Sequence, residues 1–334
     1  MSESQASGTV RDQPLTVGVD IGGTKVLAGV VDEQGQVLDR EQRPTPAGSA
    51  AAVEDTIAAL VNELGERHAV GAVGIGAAGF VDPTRSVVRA STHLAWHEEP
   101  LRERVSERTG LPVLVDNDGN TAGLGESMFG AGAGHRFVVC VTLGTGIGGA
   151  LVIDDQVYRG ANGMAAEFGH ILMVPGGEQC DCGNRGCWEE YGSGSALVRN
   201  ARNRVRAGSP GIERLVEMTG GDPAALTGQQ VTRAAQEGDA LAVELLREIG
   251  DWVGTGLATL TAALDPDCIV LGGGVSAAGE LLLAPARETF TAKLIARHVR
   301  VEPAIVLAAL GPDAGFIGAA AMARAALPGA GRPA

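Results

Sequence analysis

Hydrophobic positions along the chain alternate between two periods. Short apolar runs at 15–20 and 26–31, with a weaker one at 36–39, have the length and flanking turn residues of strands. Over 49–67 the period changes. Val53, Ile57, Leu60, Val61 and Leu64 share one face of a helix, and Ser49 is placed to cap its start. Strand patterns return at 72–76 and 111–115, separated by a charged helical segment, 98–109, that stops at Gly110. A last helical run, GFIGAAAMARAAL, starts at Gly315. This alternation predicts the α/β class. The longest mostly apolar stretch, 137–153, is broken by Gly and Thr, which fits strand, turn and strand better than a membrane span.

The pattern also repeats. VGVDIGGTKVLAGVVDEQGQV (17–37) lies without a gap over VCVTLGTGIGGALVIDDQV (139–157), with Asp20 on Thr142 and Asp32 on Asp154. Each copy reads strand, Gly-rich turn, strand, acidic turn, strand. A second kind of turn occurs twice after a short strand, as GIGAAGFVD (74–82) and VLGGGVSAAG (270–279). Chance recurrence in a Gly-rich chain is the plain alternative. Duplication predicts two related lobes, with four Gly turns converging on one cleft where backbone N–H groups can surround an oligophosphate.

Composition narrows the class. Among 334 residues, 26 Lys+Arg against 40 Asp+Glu give a net charge of −14, which opposes binding to nucleic acid or an anionic membrane. Residues 1–14 carry no apolar segment and read as a disordered tail, as does PGAGRPA at the other end, so a cytoplasmic location is expected. Of the five Cys, three lie at 180, 182 and 187, which in a reducing compartment argues for metal before disulfide. Cys140 and Cys268 stand in apolar strands and read as buried small hydrophobes.

Three motifs carry chemistry. In DIGGTK (20–25), Gly22 and Gly23 let backbone approach a phosphate, Thr24 and Lys25 can donate to its oxygens, and Asp20 can hold Mg²⁺. Walker and dinucleotide spacings are absent, and an ordinary hairpin turn is the alternative. In DNDGN (116–120), Asn117 and Asp118 stand where a strand ends, the usual mouth of an α/β site. Asp118 is the candidate base for a hydroxyl attacking phosphorus; a turn or helix cap is the plainer reading. His170, Cys180, Cys182 and Cys187 form H-x9-C-x-C-x4-C, the donor set of a closed structural zinc site. Beside it, Glu167, Glu189 and the free ring nitrogen of His170 can face sugar hydroxyls, unless the two carboxylates are simply solvated.

DIGGTK, DNDGN, LGTGIGGALV, EFGH and CDCGNRGCWE together resemble the ROK family of sugar kinases and repressors, and most closely its zinc-containing bacterial glucokinase branch, over about residues 15–327. The resemblance implies a two-lobed actin/hexokinase/Hsp70-like fold, a duplicated ribonuclease H-like unit with its site between the lobes. It implies a small lobe of residues 1–121 plus 313–334 and a large lobe of 122–312. The implied reaction is phosphorylation of the glucose 6-hydroxyl by ATP with Mg²⁺. Carried over position by position, Asp118 is the base, and Asn117, Glu167, His170 and Glu189 bind sugar with Gly79 close by. Gly22, Gly23, Thr24, Lys25, Thr145 and Gly146 line the phosphates, while Gly273, Gly274 and Val275 border adenosine. Gly119 and Asp116 depart from the common Ala and Glu of the family, without touching the base. A homodimer or homotetramer is implied as well. Other hexoses, N-acetylmannosamine or a polyphosphate donor are alternatives within the family. A non-catalytic sugar sensor is disfavoured, since about fourteen residues before the first strand are too few for a helix-turn-helix module.

Overall fold

The computed structural model describes residues 14–91 and 94–327, so the tails expected at 1–14 and 328–334 lie outside the described residues except for Pro14. Strands β1 (Leu15–Ile21), β2 (Lys25–Val31) and β3 (Val37–Pro44) form an antiparallel meander. Helix α1 (Ala50–Arg67) starts as expected, with Ser49 Oγ accepting from Ala52 N at 3.3 Å. It leads into β4 (Val70–Ala77), which runs parallel to β1. A small three-stranded sheet of β5 (Phe80–Val81), β6 (Val88–Ala90) and β7 (His97–Glu99) follows, then α2 (Leu101–Thr109) and β8 (Val113–Asn117). The charged helix therefore starts at Leu101 rather than at 98. Pro100 disfavours helical backbone in the residue before it, and 97–99 pairs with β6 instead. Its end is as expected, with Gly110 left-handed at φ 69°.

Helix α3 (Asp118–Phe129) leads to the second sheet, which opens with β9 (Phe137–Leu143), β10 (Ile147–Ile153) and β11 (Gln156–Val157). A helical layer of α4 (Glu189–Gly192), α5 (Gly194–Arg206), α6 (Glu213–Thr219), α7 (Gly228–Gln236) and the long α8 (Ala240–Leu264) intervenes. Then come β12 (Cys268–Gly272), α9 (Glu280–Lys293), β13 (Ala304–Leu307) and α10 (Ala314–Ala323). The strand orders β3-β2-β1-β4-β8 and β11-β10-β9-β12-β13 correspond one for one, with the same parallel and antiparallel pairings. The repeat is thus real in the backbone, with one correction to its register. Ile21 pairs with Val26 but Leu143 pairs with Ile147, so the second turn is one residue shorter and Asp154 is not the counterpart of Asp32.

Two cores result. One lies under α1 and α2 on the first sheet, and the larger one lies between the second sheet and α5, α7, α8 and α9. What joins them is a crossed pair of helices. A Cβ placed on Gly74 of β4 would stand 1.8 Å from Ala319 O of α10, so α10 can lie on the first sheet only where the side chain is absent. A Cβ on Gly318 would stand 1.8 Å from Thr121 O of α3, so α10 meets α3 backbone to backbone. Glu126, 4% exposed on α3, accepts from Ala131 N and Ala309 N at 3.0 Å and from Leu310 N at 2.7 Å. Its carboxylate thereby ties the end of α3 to the connection between β13 and α10.

Candidate active site between the two sheets

Strand β8 ends at Asn117 because its side chain turns back to cap α3, accepting from Asn120 N at 3.2 Å. The same side chain donates to Gly79 O at 3.1 Å and to Asp118 Oδ1 at 3.0 Å, where Gly119 N also donates at 3.0 Å. Asp118 is thus held at the start of a helix by two N–H donors, and it faces a cavity of about 420 Å³. Asp20, Gly79, Asn117 and Glu167 line the same cavity, together with Thr142 and Gly315. Residues from both sheets therefore enclose one space.

Asp20, at the end of β1, is packed against the first turn of α10: a Cβ on Gly315 would stand 2.6 Å from its Cγ. Burial pushes its carboxyl from the ordinary 3.8 to about 7; the charge of Asp118 adds to the shift and Lys25 opposes it. Glu167 is also raised, chiefly because surrounding protein desolvates it although solvent still reaches it; His170 opposes the rise, and Asp118 and Glu189 reinforce it. Three carboxylates converging on one space make the site ready to take up protons, hydroxyl donors or a cation.

His170 and Glu189 do not line this cavity. They stand behind Glu167, with His170 Nδ1 3.2 Å from Glu189 Oε1, and Glu189 is packed against the 144–147 turn, where Ile147 N donates to its Oε2 at 3.4 Å. The imidazole and the thiols of Cys180, Cys182 and Cys187 gather so that all ligand atoms lie within 4.8 Å of one another. Cys180 Sγ is 3.6 Å from His170 Nδ1, and Cys182 Sγ is 3.6 Å from Cys187 Sγ. Nδ1 therefore faces the thiols and leaves Nε2 on the other side of the ring. Burial raises the Cys180 and Cys187 thiols, whereas the backbone N–H of Asn184 lowers that of Cys182.

A second, larger cavity of about 950 Å³ opens on the helical layer. Thr145, Gly274 and Val275 border it, and α5 presents Arg199, Arg202 and Arg206 to it. These arginines were not singled out from sequence, although their spacing of three and four residues puts them on one helix face. Between the two cavities lies a third of about 400 Å³, sharing Thr142, Gly311 and Ala314 with the first and Gly274 with the second. Gly273 lines this passage. Gly22, Gly23, Thr24, Lys25 and Gly146 border none of the three; the first four form the β1–β2 turn, where Gly22 N donates to Lys25 O at 3.0 Å. The pairing of Asp116 with Arg159, at 2.5 Å, escaped sequence reasoning because nothing links positions so far apart along the chain. Among the described residues, no helix is long and apolar enough to cross a membrane.

Comparison with known proteins accords with this arrangement. A model of the ROK family matches residues 16–326. Over 310 residues the chain is 47% identical to a glucokinase of Streptomyces coelicolor, covering 93% of this chain and 98% of that one. The crystal structure of a ROK family glucokinase from Streptomyces griseus in complex with glucose and AMPPNP matches with a TM-score of 0.82 at 47% identity, covering 93% of this chain and 99% of that chain. A ROK hexokinase from Thermus thermophilus matches with a TM-score of 0.76 at 33% identity, over 92% of this chain and 97% of that one. The two-lobed actin/hexokinase-like fold is common to them and to this chain. The chain belongs to the ROK family.

Proposed function

We propose that this chain is a glucokinase, transferring the γ-phosphoryl group of ATP to the 6-hydroxyl of glucose. The observation that carries the reading is the placement of Asp118, held by two N–H donors in a carboxylate-lined cavity that connects to a larger cavity on the helical layer. The Streptomyces griseus relative, 47% identical, holds glucose and an ATP analogue, which supports the same pair of ligands here.

Glucose occupies the smaller cavity, its hydroxyls met by Asn117 and Glu167, with Gly79 keeping the wall close to the sugar; Glu189 and Nε2 of His170, which lie outside that cavity in the open arrangement, reach the sugar as the lobes close. The 6-hydroxyl donates to Asp118. As its oxygen forms the bond to the γ-phosphorus, the bond from phosphorus to the bridging oxygen of ADP breaks, and the hydroxyl proton passes to Asp118. The phosphates lie in the passage under Gly273 and the N-terminal turn of α10, with Gly22, Gly23, Thr24, Lys25, Thr145 and Gly146 supplying donors as the lobes close. The adenosine lies in the larger cavity beside Gly274, Val275 and the α5 arginines. Asp20 is a hard oxygen donor beside the cavity that Asp118 faces and fits Mg²⁺, which when bound would neutralise charge on the transferred phosphoryl group. The thiol and imidazole set of Cys180, Cys182, Cys187 and His170 fits zinc, which when bound cross-links the loop and leaves the reaction step to other groups. A homodimer or homotetramer completes the reading and rests on the family resemblance alone.

In a coupled assay of ADP release with Mg-ATP, glucose should be preferred over mannose, fructose, allose and N-acetylmannosamine; in an assay of glucose 6-phosphate formation, ATP should be preferred over polyphosphate. Preference for another sugar would reassign the substrate. Asp118→Asn should lower kcat by about 10²- to 10⁴-fold with much less change in the glucose KM. A variant with kcat intact would remove Asp118 from the role of base.

The folded-state pKa of Asp20, about 7, lies above its ordinary 3.8, so the stability linked to its protonated form is complete below about pH 4 and is lost as pH rises through 7. Thermal melts without Mg²⁺ should accordingly show Asp20→Asn gaining on the parent protein between pH 5 and pH 8, while its turnover falls. Parallel melting curves across that range would contradict the burial of this carboxyl.

Cys182→Ser should release zinc, read by elemental analysis, and reduce kcat by loosening the 167–189 loop. Full activity in a protein stripped of zinc would refute a structural role for the metal.

A further inference from the structure

Behind Asn117 and Asp118 stands an ion pair that crosses between the sheets. Asp116, 2% exposed near the end of β8, uses both carboxylate oxygens. Its Oδ1 accepts from Asn117 N at 2.8 Å and Asn120 Nδ2 at 2.9 Å, so it holds both sides of the turn that displays Asp118. Its Oδ2 accepts from Arg159 through Nε at 2.6 Å and Nη2 at 2.5 Å. Arg159 follows β11 of the second sheet and anchors its own side as well: Nη1 donates to Val157 O at 3.0 Å, and its carbonyl accepts from Ala165 N at 3.1 Å. That last bond closes the 160–164 loop ahead of Ala165, Ala166 and Glu167, which line the smaller cavity from the chain segment that follows the β9–β11 meander of the second sheet. One arginine therefore connects the strand end carrying Asp118 to the segment carrying Glu167.

We propose that Arg159 is a positioning residue for phosphoryl transfer, acting through Asp116 to fix the Asn117–Asp118 turn against the Glu167 segment when both walls hold the sugar. This rests on the reading of Asp118 as the base. A two-donor fork onto a buried carboxylate sets direction as well as distance, which an ammonium cannot do. A second cation explains why the arrangement is more than a fold-stabilising pair. Arg85, whose carbonyl accepts from Val115 N at 3.2 Å, is half-buried in the field of both Arg159 and Asp116. Its Nε and Nη2 have no hydrogen-bond partner among the described residues. A positive charge therefore stays in the field of Asp116 when Arg159 is removed, and what is lost is the direct link between the two segments.

The test is a kinetic cycle on the full chain with glucose and Mg-ATP, assayed well below the melting temperature. Arg159→Gln should reduce kcat by about 10- to 100-fold, the scale expected for a slight misplacement of a reacting group, with the ATP KM within about twofold of the parent. Arg159→Lys, which keeps the charge but not the fork, should recover only part of the loss and provides a folded comparison if the glutamine variant is unstable. In an Asp118→Asn background, Arg159→Gln should add no further loss, because its effect is exerted through that carboxylate. An Arg159→Gln or Arg159→Lys enzyme with parental kcat would overturn the proposal, as would losses that multiply with Asp118→Asn. Failure of the base reading itself would appear separately, as an Asp118→Asn single variant that keeps its kcat.

Discussion

The close approach of α10 to the first sheet and to α3 is the constraint on which the cleft depends. With Gly18 and Gly74 beneath it, α10 rests on β1 and β4 with its carbonyls where a Cβ would be, and through Gly318 it lies equally close to α3. Helix α3 continues the contact to the second sheet, where a Cβ on Gly123 would stand 2.4 Å from the Cβ of Ala150 on β10. Sheet, helix, helix and sheet thus stack with almost no side-chain spacer at the crossing. Such contacts leave little freedom to slide, because interiors packed to this density respond to small displacements with large energy changes. They leave the loops on either side free to differ, and it is there that the cavities open.

The same crossing determines where charge collects. Asp118 is at the start of α3 and Asp20 is against the first turn of α10, so the helix pair that joins the sheets also brings two carboxylates into one another's field. Helix N-termini partly offset that repulsion, and hydroxyl donors, cations or protons remove the remainder. A site in this condition is held by its scaffold against its own electrostatics, the trade expected where structure serves function. Glu126, by contrast, is buried on the same helix with three backbone N–H donors, and there a carboxylate serves to hold chain segments together.

Much of this was legible in residue patterns. The strand and helix periods, Ser49 as a cap, Gly110 as a stop and the H-x9-C-x-C-x4-C cluster are local signals, and each has its local cause in the structure. The repeat was visible because both copies keep the same alternation, but its register was off by one in the second strand. Turn length is a backbone property, and a Gly-rich string does not mark where the turn closes. Helix α2 begins later than its charge pattern predicts for a similar reason: charged residues at 98 and 99 look helical until Pro100 is given its steric weight. The Asp116–Arg159 pair, the carboxylate grip of Glu126 on 309 and 310, and the arginine face of α5 depend on contacts between distant segments. No periodicity reports such contacts.

The account stands most directly on where the acceptor hydroxyl lies. A crystal structure of this chain with glucose, Mg²⁺ and a non-hydrolysable ATP analogue would locate it. The account predicts glucose in the smaller cavity with O6 about 2.6–3.2 Å from a carboxylate oxygen of Asp118 and pointing toward the γ-phosphorus along the passage past Gly273. Glucose bound with O6 turned away from Asp118, or seated in the larger cavity beside the α5 arginines, would contradict it.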